Sequence, residues 1–295
     1  MRIAETTDKV ANLLFEASAR LEPEYGSDAS IEARAILAGV LGCGTTDLFL
    51  RSREEVGPLF RDRFFELVER RLKREPVAYL LGSMPFFGIE FVATPDVLIP
   101  RPETELLVEC ALEILSRIPV NPKRVLEIGT GSGCIAVALA LRSSSASILA
   151  TDVSSPALNV ARENARRVGV ADKIQFTQSN LYTEISSGKT GHFDMIVSNP
   201  PYVRTREMRG LDPDLGYEPR VALEAGEQGL DVICPLVSGA PRFLKPGGIL
   251  ALEFGIDQSN LISELMVANR FDKLMIHKDF RGLDRVIQGE YRGSI

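Results

Sequence analysis

Apolar residues recur at helical spacing near the start of the chain, where Val10, Leu13, Leu14, Ala17 and Leu21 share one face. A second face carries Ala33, Ile36, Leu37 and Val40; it opens near Ser30 and closes at Gly42-Cys43-Gly44, glycine being favoured just past a helix end. A third helix is predicted from Leu59 to Leu72. No period-2 alternation persists, so residues 1–75 are expected to form a small helical domain. Residues 76–100 differ: Pro76, Gly82, Pro85, Gly88, Pro95 and Pro100 interrupt short apolar runs at Phe86-Phe87 and Ile89–Val92. That pattern predicts a β-hairpin linking two domains.

Residues 101–295 carry the second domain. Arg101–Arg117 reads as a helix with Pro102 in its first turn, where the missing N–H costs nothing. Strands are then predicted at Arg124–Ile128, Ile148–Asp152, Ile174–Thr177, Met195–Ser198 and Ile249–Phe254. Helices fall between them at Cys134–Arg142, Pro156–Val168 and Leu230–Phe243. Such alternation predicts an α/β domain around a mostly parallel sheet. Two late strands, near Leu274–His277 and Arg285–Gln288, are expected as a hairpin on the sheet edge and bring the count to seven.

Composition narrows the function classes. The 295 residues carry a formal net charge of -6, which argues against a chain built to grip a nucleic-acid backbone, so no stable DNA binding is expected. Four cysteines without a C-x-x-C pair and only two histidines offer no readable metal cluster. Free thiols fit a reducing cytoplasm. The opening Met1-Arg2-Ile3-Ala4-Glu5 leads into a charged stretch, unlike a signal core, and the apolar run Cys134–Leu141 is too short to span a bilayer. The basic run Arg70-Arg71-Lys73-Arg74 reads as a solvated helix face, or alternatively as a contact for an acidic partner.

Two loops carry the chemistry. Glu127, Gly129, Thr130, Gly131, Ser132 and Gly133 join the first strand of this domain to a helix, and glycines let a backbone approach a ligand closely. The spacing is G-x-G-x-G, whereas a dinucleotide site takes G-x-G-x-x-G. Asp152 ends the next strand and can accept hydrogen bonds from two ribose hydroxyls. Further on, Asn199-Pro200-Pro201-Tyr202 follows a buried-looking strand. An amide or aryl-amine nitrogen is a poor nucleophile because its lone pair is delocalised. The Asn199 side-chain oxygen and the Pro200 carbonyl can accept its two N–H groups and orient it, and Tyr202 can lie against the planar acceptor. Such a site suits methylation of that nitrogen, and no strong general base is needed, since the proton turns acidic once the methyl bond forms.

The glycine loop resembles the first motif of class I methyltransferases, whose Rossmann-like sheet binds S-adenosylmethionine. That resemblance implies cofactor contacts from Glu127, Gly129 to Gly133 and Asp152. Asn180 and Leu181 stand where many such enzymes contact adenine. The segments Glu75–Gly82 and Val97–Glu105, with Tyr217-Glu218-Pro219, Glu253-Phe254-Gly255 and Gly282-Leu283-Asp284-Arg285, make nearly the whole chain resemble the bacterial release-factor glutamine methyltransferase family (HemK/PrmC). The family implies methyl transfer from S-adenosyl-L-methionine, leaving S-adenosyl-L-homocysteine, to N5 of the glutamine in the Gly-Gly-Gln motif of peptide-chain release factors. This modulates translation termination. It further implies that Asn199 contacts both cofactor and glutamine, that Pro200, Pro201 and Tyr202 complete the pocket, and that Arg101 lies beside it. A helix-start salt bridge is the alternative for Arg101 and Glu103. The other function classes are a nucleic-acid adenine N6-methyltransferase, a NAD-dependent oxidoreductase and a catalytically silent binding module.

Overall fold

The computed structural model describes residues 8–185 and 187–293; the opening residues 1–5, from which the absence of a signal core is read, lie outside it. The chain divides into two compact units, one comprising Met1–Ser83 with Asp212–Tyr217, the other Met84–Leu211 with Glu218–Ile295.

The first unit holds α1 (Val10–Tyr25), α2 (Ala29–Leu41), the short α3 (Asp47–Leu50), α4 (Pro58–Arg71) and α5 (Val77–Leu81). The apolar stripe read from the sequence is its core: Val10, Leu13, Ala17, Leu21, Ala33, Ile36 and Leu37 are buried together with Phe64, Leu67 and Leu80. Gly42 ends α2 in the left-handed conformation. The unit extends past residue 75 because Leu80 on α5 joins that core. It also takes in residues 212–217, far along the chain.

That segment corrects the expectation of a solvated basic face. Arg71 is buried, pairing with Glu32 at 2.8 Å and Asp214 at 2.6 Å, and its guanidinium lies 4.1 Å from the Tyr25 ring centroid. Arg74 pairs with Asp212, Arg70 pairs with Glu75, and the Tyr217 hydroxyl donates to the Lys73 carbonyl at 2.7 Å. Desolvating a guanidinium is costly unless carboxylates compensate it, and two do so at Arg71.

The second unit opens within the expected hairpin, formed by β1 (Ser83–Phe86) and β2 (Ile89–Val92). Phe87 and Gly88 both take positive φ at its tip, the geometry of a tight two-residue turn. The hairpin is more than a linker. Phe86, Ile89 and Phe91 sit in the largest core, and the Phe87 N–H donates to Glu105 at 2.6 Å. The chain continues through α6 (Pro102–Arg117), β3 (Lys123–Ile128), α7 (Cys134–Arg142), β4 (Ala146–Asp152), α8 (Ser155–Val168), β5 (Ile174–Gln178), β6 (Phe193–Ser198), α9 (Ile233–Phe243), β7 (Leu244–Glu253), α10 (Ser259–Ala268), β8 (Phe271–Lys278) and β9 (Asp284–Tyr291).

The seven-stranded sheet runs β5-β4-β3-β6-β7-β9-β8. Strands β5, β4, β3, β6 and β7 pair in parallel, and β9 is antiparallel to both its neighbours. One apolar core contains α6 and α7; the other contains α9 and α10. The order reverses at β3, which lies between β4 and β6. Open α/β sheets bind ligands in the crevice at the carboxyl ends of strands around such a switch point. Among the described residues, no helix is long and apolar enough to cross a membrane.

Candidate active site

Four strand ends meet at the carboxyl edge: Ile128 on β3, Asp152 on β4, Ser198 on β6 and Glu253 on β7. The Ser198 hydroxyl donates to the Ile128 carbonyl at 2.6 Å, joining the two central strands below the site. After β3 the glycine loop turns through positive φ at Gly129, Gly131 and Gly133. At Gly133, φ is +80°, and an added Cβ would lie 3.0 Å from the Ala161 Cβ. Glycine is therefore required there both for the backbone conformation and for the close approach of α8.

Glu127 is fully buried beneath the loop and does not line the cavity described below. Its Oε2 accepts the Thr130 hydroxyl at 2.8 Å, and its Oε1 has no partner among the described residues. Burial pushes the carboxyl up to about 8, Asp152 adds to the rise, and the Thr130 hydrogen bond opposes it. Asp152 holds the loop from the other side. One oxygen accepts the Gly131 N–H at 2.8 Å and the other the Ser154 N–H at 2.9 Å. Burial raises its carboxyl above the usual range while these N–H groups pull it back. Each oxygen keeps a second lone pair for a ligand.

Asn180 and Leu181 follow β5 and line the same cavity. Leu181 is held at φ +50°, and its carbonyl accepts the Ser179 hydroxyl at 2.9 Å. Sequence reasoning missed Asn164. Wholly buried on α8, it donates to the Ser132 carbonyl at 2.8 Å and accepts the Val92 N–H at 2.8 Å. It thereby ties the glycine loop to the hairpin.

The acceptor turn is fixed from several directions. The Asn199 Nδ2 donates to the Thr104 hydroxyl oxygen at 3.0 Å, which leaves Oδ1 as the free acceptor of the carboxamide. Tyr202 does not line the cavity: its ring packs on the second core and its hydroxyl donates to Glu253 Oε1 at 3.2 Å. The ring anchors the turn, which differs from the expected platform for a planar group. Behind it, buried Gln258 donates to the carbonyls of Tyr202 and Gly229, each at 3.2 Å. A Cβ on Gly229 would come within 2.3 Å of the Tyr202 carbonyl oxygen, so only glycine fits. Arg101 stands just before α6 without capping it and pairs with buried Glu218, whose other oxygen accepts the Ile99 N–H at 3.0 Å. Arg101 thus pairs with Glu218 and not with Glu103, the partner in the alternative reading, and the pair fixes the segment 99–101 against the cavity.

These parts surround one cavity of about 310 Å³, within the range of small-molecule sites. Gly129 to Ser132, Asp152, Asn180 and Leu181 line it together with Arg101, Thr104 and Asn199 to Pro201. Gly133 stands just outside the lining. Asp152 and the Asn180 carboxamide suit a ligand with hydroxyl and amino donors, and Ile128, Val153, Leu181 and Val221 suit a flat apolar body.

Two family models match this chain. The PrmC N-terminal domain matches residues 12–82, and the methyltransferase small domain matches residues 104–211. The release factor glutamine methyltransferase of Neisseria gonorrhoeae is 42% identical over 262 residues, covering 88% of this chain and 93% of its own. That of Deinococcus radiodurans is 38% identical over 289 residues, covering 97% of this chain and 100% of its own. Among solved structures, the hMettl16 catalytic domain superposes with a TM-score of 0.57 at 15% identity, over 81% of this chain and 84% of that one, a likeness of fold. The chain belongs to the release factor glutamine methyltransferase family.

Proposed function

We propose that this protein transfers a methyl group from S-adenosyl-L-methionine to the side-chain N5 of the glutamine in the Gly-Gly-Gln motif of peptide-chain release factors. The observation that carries this is the single cavity lined by both the glycine loop with Asp152 and the Asn199–Pro201 turn. A donor held by one half would face a nitrogen held by the other.

The residues present fit the methyl donor. Asp152 would take its ribose hydroxyls, Asn180 its adenine amino group, and Leu181 the face of its base; Glu127, through Thr130, would hold the loop that carries its amino-acid end. When bound, the donor supplies an electrophilic methyl group on a sulfonium sulfur. The chain's own residues prepare the acceptor. Asn199 Oδ1 and the Pro200 carbonyl each accept one N–H of the glutamine amide, aim its lone pair at the methyl carbon and favour the positive charge that develops on nitrogen. Methyl transfer to that nitrogen would leave the electron pair of the broken S–C bond on sulfur, and the nitrogen's extra proton would pass to solvent. Pro201 keeps the turn rigid, and Arg101 with Glu218 holds the neighbouring wall. Free thiols at Cys43, Cys110, Cys134 and Cys234 support a cytoplasmic setting.

The test is transfer of labelled methyl groups from the donor to a purified release factor. The native protein is expected to label the factor, and Asn199→Ala roughly a hundredfold less, the scale of losing one group that stabilises transition-state charge. Label on DNA in place of the factor would overturn it.

A further inference from the structure

The carboxyl edge of the sheet holds a buried carboxylate that the chemistry above does not use. Glu253 ends β7 and is fully buried. Its Oε2 accepts the Thr104 hydroxyl at 2.8 Å, its Oε1 accepts the Tyr202 hydroxyl at 3.2 Å, and the Thr104 oxygen accepts the Asn199 Nδ2. An ionised carboxylate only accepts, and a hydroxyl has one hydrogen. Once Glu253 has taken that hydrogen, Thr104 can offer Asn199 nothing but lone pairs. Only the NH2 end of the carboxamide can then meet it. The two ends of a carboxamide are nearly equal in shape, so packing alone does not choose between them. The flipped orientation would set an NH2 against the N–H of the acceptor nitrogen, donor against donor.

We propose that Glu253 and Thr104 are positioning residues for methyl transfer: a one-way hydrogen-bond chain from carboxylate through hydroxyl fixes the Asn199 carboxamide with its oxygen left for the acceptor nitrogen. The inference rests on the role proposed for Asn199 above. Directionality requires Glu253 to be ionised, because a protonated carboxyl can donate to Thr104 and reverse the chain. Burial raises this carboxyl to about 7, while Thr104, Tyr202 and Arg285 lower it and Glu103 raises it. The groups that face it are Glu103 and Thr104 from α6, Tyr202 from the acceptor turn and Arg285 from β9, the last paired with Asp279 at 3.2 Å. The rate of transfer accordingly rises with pH through the neutral range as Glu253 ionises.

The experiment measures kcat and KM on a release factor across the neutral range for the native protein, Thr104→Ser, Thr104→Val and Glu253→Gln. Melting temperature and S-adenosylhomocysteine affinity are followed in parallel. Thr104→Val loses roughly ten- to a hundredfold in kcat, with product affinity little changed and melting lowered only as far as the loss of one hydrogen bond to a buried carboxylate requires. Thr104→Ser recovers most of the rate, and Glu253→Gln is slow and lacks the acid limb of the profile. A Thr104→Val protein with undiminished kcat, Ser and Val variants that fail alike, or affinity and melting that fall in step with rate would overturn the chain. A second measurement needs no substrate. The Asn199 side-chain N–H bonded to Thr104 exchanges slowly with solvent in the native protein, as followed by NMR, and rapidly in Thr104→Val; equal exchange in both overturns the proposal. A native protein that labels no release factor overturns the function proposed above, and the exchange comparison still decides the hydrogen-bond chain.

Discussion

Asp152 is asked to hold the glycine loop and to keep lone pairs free for a ligand. Both its oxygens already accept a backbone N–H, from Gly131 and from Ser154. Hydrogen bonds to a charged group contribute about 1.5–3 kcal/mol, so Asp152→Ala should weaken S-adenosylhomocysteine binding by roughly tenfold or more. Isothermal titration checks this, and unchanged affinity would show that the loop holds itself. The placement of Asp152 and Asn199–Tyr202 at strand ends was legible in the sequence, because each closes or directly follows an apolar strand pattern. The orientation of Tyr202 was not, since its partner Glu253 is 51 positions away. Thr104, Asn164 and Gln258 were equally silent. A buried polar residue on a helix shows its role only when the distant groups that satisfy it are in place.

At the scale of elements, the glycine loop and α8 are matched to each other. Gly133→Ala would place a Cβ 3.0 Å from Ala161 in a backbone conformation that disfavours side chains, costing about 1–3 kcal/mol. Denaturant titration should find that loss, and a stability equal to the native would mean that α8 yields freely. In the helical unit, Arg71→Met strands Glu32 and Asp214, both partly exposed. Losing a buried pair costs about 3–5 kcal/mol, and solvent at the two carboxylates brings the expectation to about 2–3 kcal/mol. A change of a few tenths would return the basic run to the solvated face the sequence suggested. Helix periodicity found α1, α2 and α4 because each buries one continuous stripe. It missed α10, which buries only Ile262 and Met266 and mixes them with exposed Leu261 and Val267. The hairpin was found from its turn residues, but its place in the core depends on contacts with α6 that no local pattern records.

For the whole molecule, pH links the site to stability. The carboxyls of Glu127 and Glu253 sit at about 8 and about 7, both above 4.5. In the window between, the native state keeps protons that the unfolded chain has released. Stability is therefore fully present below the unfolded value and declines as pH rises through the folded ones. Glu127→Gln cannot ionise, so its denaturation midpoint should fall less than the native one across that window; parallel curves would show that Glu127 is not held protonated. The mostly parallel sheet followed from strand–helix alternation, but its strand order did not, because alternation does not say on which side of β3 each later strand is added. The identity of the acceptor did not follow, because an acceptor turn of this kind suits any planar nitrogen. Whether this nitrogen is a glutamine amide is decided by peptide mass spectrometry of a release factor treated with the protein and S-adenosylmethionine. One added methyl group is expected on the glutamine of the Gly-Gly-Gln motif, and a factor methylated elsewhere, or left unmodified while nucleic acid is methylated, would contradict the assignment.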